Sequence, residues 1–231
     1  MMIIISSKPA IFFPVKFLKV FIIALLIYCP PNTLISSFSK KFKNCQIGIG
    51  GQNCHESDDY GAHTGFVNSR MLKNIGAHFV IIGHSENREK GESDKLINQK
   101  IKSALDAKLK VIFCIGETLS EKRKKKTYSI LSKQIKIGLK NIKNKSNIFL
   151  AYEPVWAIGS GLIPKSQDLF KTIELIKSKF KDKSPKVLYG GSVNPQHIKN
   201  LREINNIDGF LIGGASHNVK KFIDIVKKTY N

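Results

Sequence analysis

Residues 148–161 read IFLAYEPVWAIGSG. Five apolar or aromatic residues lead straight into Glu153 and then a proline. A run this short and this apolar fits a strand buried on both faces, as in a parallel sheet covered by helices. The strand therefore ends on a carboxylate. Such a residue is either half of a buried ion pair or a general base, since apolar surroundings make a carboxylate hold a proton more readily. The Pro-Val-Trp-Ala-Ile-Gly-Ser-Gly run that follows suits a lid. It has a stiff proline start, an apolar tip, and glycines whose amides can approach an anion.

The same rhythm runs along the whole chain. Strand-like runs fall at Met2–Ser6, Ala24–Cys29, Gln46–Gly50, His78–Gly83, Lys110–Ile115, Ile148–Tyr152, Lys186–Gly190 and Gly209–Gly213. Helix-like stretches lie at Phe12–Phe21, Leu34–Phe42, Asn68–Ile75, Ser93–Ala107, Leu119–Ile142, Ser166–Phe180, Asn194–Arg202 and Asn218–Lys228. Ser166 and Asn194-Pro195 read as helix starts. Strand alternating with helix predicts an α/β fold with a parallel sheet and right-handed crossovers. Eight such units predict one domain over residues 1–231, closed into a (β/α)8 barrel. The first unit is the weak one, so spacing alone leaves an open doubly wound sheet in contention.

In a parallel α/β barrel the chemistry gathers where strands end. After Ile81-Ile82 come Gly83, His84, Ser85 and Glu86. A lone histidine after a strand is more often structural than functional. Here Ser85 and Glu86 begin a turn or short helix, and a helix N-terminus disfavours a charged imidazole. A neutral ring can donate a hydrogen bond to a carbonyl oxygen. The pairs Gly190-Gly191 and Gly213-Gly214 each lie between a strand and a helix. Exposed amides there, backed by a helix dipole, make an oxyanion or phosphate site.

The totals narrow the partners. The chain has 231 residues, 42% of them hydrophobic, and a formal charge of +21. The densest basic run, Lys122-Arg123-Lys124-Lys125-Lys126, reads as a solvated helix face. With no aromatic-interleaved basic patch or zinc-finger spacing, a nucleic-acid partner is not expected. Cys29, Cys45, Cys54 and Cys114 form no C-x-x-C pair, which suits reduced thiols in a cytoplasm. The opening MMIIISSKPAIFFPVKFLKVFIIALLIYCPPN contains the one membrane or export candidate. Lys16 and Lys19 interrupt it, and the remaining apolar run is too short to span a bilayer, which needs roughly 20 residues. It also lacks a small-residue cleavage site. Residues 1–28 read as an atypical, eroded or mis-started first unit plus the second strand.

The motifs CPPNTLIS, GGQNCHESDDYGAHTG, IIGHSENR, GESD, VIFCIGETL, AYEPVWAIGSG, YGGSVNP and DGFLIGGAS together resemble the triosephosphate isomerase family. The resemblance covers the chain from about Cys29 onward. It implies a cofactor-free, metal-free exchange of dihydroxyacetone phosphate and D-glyceraldehyde 3-phosphate. It assigns Glu153 as the proton shuttle and His84 as the group that polarises the carbonyl. Gly159, Ser192, Gly213 and Gly214 would hold the phosphate, with Ser85, Glu86 and Cys114 supporting the site. Thr64, in the loop Gly51–Gly65, would enter a neighbouring subunit, which implies a homodimer.

Departures from the family pattern are also visible. Its Asn-Trp-Lys at the end of the first strand is replaced by Ser6-Ser7-Lys8, leaving Lys8 as the candidate phosphate lysine. Phe66 and Asn87 stand where the family mostly pairs Glu with Arg. These changes keep a second hypothesis open, a catalytically impaired barrel with only a binding role.

Overall fold

The computed structural model describes residues 2–6, 25–57, 59–181 and 184–230. Eight strands close into a barrel in sequence order: β1 (Met2–Ser6), β2 (Leu26–Cys29), β3 (Ile47–Gly51), β4 (Phe79–Ile82), β5 (Lys110–Ile115), β6 (Ile148–Tyr152), β7 (Val187–Tyr189) and β8 (Gly209–Ile212). Strands β2 to β8 run parallel. The helices are α1 (Ile35–Lys41), α2 (Ser69–Asn74), α3 (Ser85–Glu89), α4 (Asp94–Asp106), α5 (Leu119–Arg123), α6 (Thr127–Gly138), α7 (Ser166–Ser178), α8 (Ile198–Arg202) and α9 (Val219–Tyr230).

All eight strands lie within about two residues of their expected limits, and the closed barrel displaces the open sheet. One expectation fails. Strand β1 runs antiparallel to both neighbours, with Met2 opposite Cys29 and Ser6 opposite Gly209. An apolar run such as MIIIS carries no signal for direction, and an antiparallel neighbour needs no crossover helix. The expected first helix, Phe12–Phe21, lies outside the described residues.

Two helix expectations also change. The stretch Leu119–Ile142 breaks into α5 and α6, with Lys125 at φ 55°. Five consecutive cations would stack like charges at i,i+4, and they sit better at the C-terminal end of a short helix. Thr118 and Glu121 close a capping box at the start of α5. The basic run is solvent-exposed, as the sequence predicts. At the other site, Asn194 Oδ1 accepts from the amides of Gln196 and His197 at 3.0 and 2.9 Å. Residues 195–197 thereby form a turn, and helix α8 starts only at Ile198.

Period-two alternation splits the core in two. Ile27, Phe79, Ile81, Ile112, Cys114, Ala151, Leu188 and Leu211 form one cluster. Their strand neighbours Val80, Ile82, Val111, Phe113, Leu150, Tyr189, Phe210 and Ile212 pack with the helices in the other. Both faces are buried, which explains the unbroken apolar runs. Strand β3 brings Gly48, where an added Cβ would lie 2.7 Å from the Phe79 ring. Phe79 fills the space that a larger residue at 48 would take. Phe79→Ala should therefore cost about 3–5 kcal/mol in urea unfolding. A loss below about 1 kcal/mol would show that the interior repacks around the gap.

Candidate active site

Strand β6 delivers Glu153 to the C-terminal rim, where backbone hydrogen bonds lace it between its neighbours. Its amide donates to Ile115 O at 2.7 Å, and Gly190 N donates to Tyr152 O at 2.8 Å. Two glycines make the fit possible. An added Cβ on Gly116 would lie 1.8 Å from the Glu153 carbonyl oxygen, and one on Gly190 would lie 2.8 Å from Glu153 Cγ. The carboxyl group points into an open cleft of about 890 Å³ at the barrel mouth.

His84 leaves the end of β4 and caps α3. Glu86 N donates to its Nδ1 at 3.4 Å. That bond assigns the ring proton to Nε2, which lies 3.2 Å from Glu153 Oε1. The other carboxyl oxygen, Oε2, accepts from Ser85 N at 3.4 Å. Both side chains are buried, His84 at 7% exposure and Glu153 at 2%. Burial works against a charged imidazole, but the Glu153 hydrogen bond and charge outweigh it, and the His84 pKa lies above its ordinary value. The expected neutralising influence of the helix start thus acts at Nδ1 and is opposed at Nε2. Cys114 lies on β5 inside the barrel. Burial foremost, then the Glu153 charge, push its thiol well up and keep it protonated.

Arg88 braces this corner from α3. It donates to Gly83 O at 2.8 Å and Cys114 O at 3.1 Å, and pairs with Asp94 at 2.7 Å.

The lining of the cleft also includes Gly190, Gly191, Ser192, Gly213 and Gly214. An added Cβ at Gly213 or Gly214 would meet nothing within 4 Å. Packing within the protein does not require glycine there, and the free space is the cradle itself. Gly159 and Gly161, both at positive φ, form the lid's second half. Gly161 N donates to Ser192 Oγ at 3.1 Å, joining lid to cradle.

The base of the lid rests on Glu117, which sequence reasoning quoted inside VIFCIGETL but gave no role. Trp156 Nε1 donates to it at 2.9 Å, and the Tyr152 hydroxyl lies 3.2 Å from both its oxygens. Burial raises the Glu117 pKa, and these donors only partly offset it. The Lys122 ammonium stacks over the Trp156 ring. An acidic residue just past an apolar strand was the available signal, the same one that marked Glu153.

His84, Glu86, Glu153, Gly159, Ser192, Gly213 and Gly214 thus line one cleft. Thr64 does not. It is exposed on the 51–65 loop. Lys8 lies outside the described residues. Among the described residues no group of three His, Cys, Asp or Glu side chains is placed to hold a metal ion.

The family model described as triosephosphate isomerase matches residues 19–229. The chain belongs to the triosephosphate isomerase family. A triosephosphate isomerase of Bradyrhizobium diazoefficiens is 41% identical over 209 residues, covering 87% of this chain and 83% of the relative. One from Thermodesulfovibrio yellowstonii is 41% identical over 205 residues, covering 86% and 83%. The crystal structure of triosephosphate isomerase from Bartonella henselae superposes with a TM-score of 0.81 at 37% identity, covering 87% of this chain and 85% of that one. The family match takes in every strand from β2 to β8, while β1 and Lys8 precede it.

The His84–Glu153 contact makes a direct prediction. The carboxylate raises the imidazole pKa and burial lowers it. Glu153→Gln removes the raising influence, so the His84 titration followed by ring NMR should shift to lower pH. An unmoved titration would show that the contact does not govern the ring.

Proposed function

We propose that the chain interconverts dihydroxyacetone phosphate and D-glyceraldehyde 3-phosphate through an enediolate, as a step of glycolysis and gluconeogenesis. The observation that carries this reading is His84 Nε2 at 3.2 Å from the Glu153 carboxylate, beside an open glycine cradle. Glu153 takes the proton from the carbon next to the carbonyl and returns it to the neighbouring carbon. His84 donates its Nε2 hydrogen bond to the substrate oxygen and stabilises the developing negative charge, while the hydroxyl proton passes to the former carbonyl oxygen so that carbonyl and hydroxyl exchange places. When that oxygen replaces Glu153 at Nε2, the hydrogen bond that does most to raise the imidazole pKa is gone, leaving the Glu153 and Glu86 charges against the larger effect of burial. Burial and the Glu86 amide then favour the neutral ring.

Backbone amides at Gly159, Ser192, Gly213 and Gly214 hold the phosphate. Lid closure keeps water from an enediolate that would otherwise eliminate its phosphate. Lys8 is the candidate phosphate lysine by resemblance alone. Lys8→Ala should raise KM and lower kcat if it has that role, and wild-type kinetics would remove it.

The reading extends to a cytoplasmic homodimer. Tyr60 and Phe66 are 67% and 62% exposed on or beside the 51–65 loop, and the His55 ring lies 4.9 Å from that of Phe66. Such apolar exposure suits burial against a second copy. No helix among the described residues is long and apolar enough to cross a membrane. The alternative of a barrel kept only for binding rests on the missing Asn-Trp-Lys, and the relatives favour the isomerase.

Glu153→Asp retracts the base by one methylene. In a coupled isomerase assay it should lower kcat by roughly 100-fold or more while thermal unfolding stays near wild type. Activity within a few-fold of wild type would show that Glu153 is not the base.

A further inference from the structure

A triose phosphate brings a phosphate dianion, and amide dipoles neutralise only part of such a charge. Among the described residues that line the cleft, the charged side chains are Glu86, Glu153 and Lys221. Two of these are acidic, and Glu153 has to remain a carboxylate to act as the base. Lys221 is the one permanent cation among the described residues of the cleft wall.

Its position is fixed by the cradle's own scaffold. A short 3-10 turn over Gly214–His217 follows β8, with Ser216 donating to Gly213 O through both its amide, at 2.9 Å, and its hydroxyl, at 2.6 Å. Helix α9 begins two residues after that turn. Asn218 Oδ1 accepts from Lys221 N at 3.0 Å, and Asn218 O accepts from Phe222 N at 2.9 Å. The backbone of Lys221 is therefore held in the first turn of α9, just after the 3-10 turn that follows the glycine pair. Its side chain is exposed and forms no ion pair among the described residues, whereas Lys228 on the same helix is paired with Asp224 at 2.9 Å. A lysine stem of four carbons can swing without disturbing that helix. Strand β1 brings its last residue, Ser6, beside Gly209 at the start of β8, on the rim away from the cradle.

We propose that Lys221 supplies the positive charge for the substrate phosphate, reaching the Gly213-Gly214 cradle from the first turn of α9. This rests on the triose phosphate reading and holds whatever Lys8 contributes. An ammonium there pairs with the phosphate oxygens that point away from the amides, and it has no part in proton transfer. Lys221 is thus a binding residue for the non-reacting end of the substrate.

The test compares wild type, Lys221→Ala, Lys221→Arg and Lys221→Glu in the full chain. In the isomerase assay Lys221→Ala should raise KM for glyceraldehyde 3-phosphate about tenfold, more than it lowers kcat. Lys221→Arg should restore most of that loss, and Lys221→Glu should exceed it. Binding of inorganic phosphate, measured by calorimetry, should weaken in the same order, and this readout does not need turnover. An active wild type whose Lys221→Ala variant keeps its KM and its phosphate affinity would overturn the inference and leave the isomerase reading intact. A wild type without isomerase activity would overturn the isomerase reading. Phosphate affinity unchanged by Lys221→Ala in that same protein would overturn the inference as well.

Discussion

The mouth of this barrel depends on where the Glu153 carboxylate is held. Its backbone is pinned between β5 and β7, and two glycines leave room for it where any side chain would collide. One carboxyl oxygen meets His84 and the other meets the Ser85 amide. A carboxylate this buried is stable only with such donors. The same donors keep it aimed at the cleft, so the interactions that make its burial tolerable also hold it where the proposed proton transfer requires it.

The lid repeats this logic a few residues further on. Glu117 is buried at the end of β5 and is satisfied by Tyr152 on β6 and Trp156 in the lid. Gly161 donates to Ser192 of the glycine cradle. The lid is thus held at its base by a buried carboxylate and near its second hinge by a cradle hydroxyl.

Much of this was legible in the sequence because the signals were local. Short apolar runs ending in Glu153, His84 or Gly-Gly mark both the strands and the cleft residues at their ends, since burial on two faces leaves a strand no polar residue until it reaches the rim. What was not legible depends on distance or direction. The run MIIIS reads the same from either end, so β1's antiparallel course has no local signature. The break between α5 and α6 comes from five like charges competing with helix propensity. Lys221 lies close to Gly213 and Gly214 in sequence, but as one lysine in a lysine-rich chain it carries no local mark of the cleft wall it joins. Glu117 sat inside a quoted motif, yet its partners Tyr152 and Trp156 lie more than 30 residues away.

The chain contains a single tryptophan, Trp156. It lies at the base of the lid, with its indole N–H on a buried carboxylate and an ammonium over its ring. Indole fluorescence responds strongly to both kinds of neighbour, and no second tryptophan dilutes the signal. The unmodified molecule therefore carries a built-in optical probe of this loop, and its emission reports any change in the indole's two neighbours without a label.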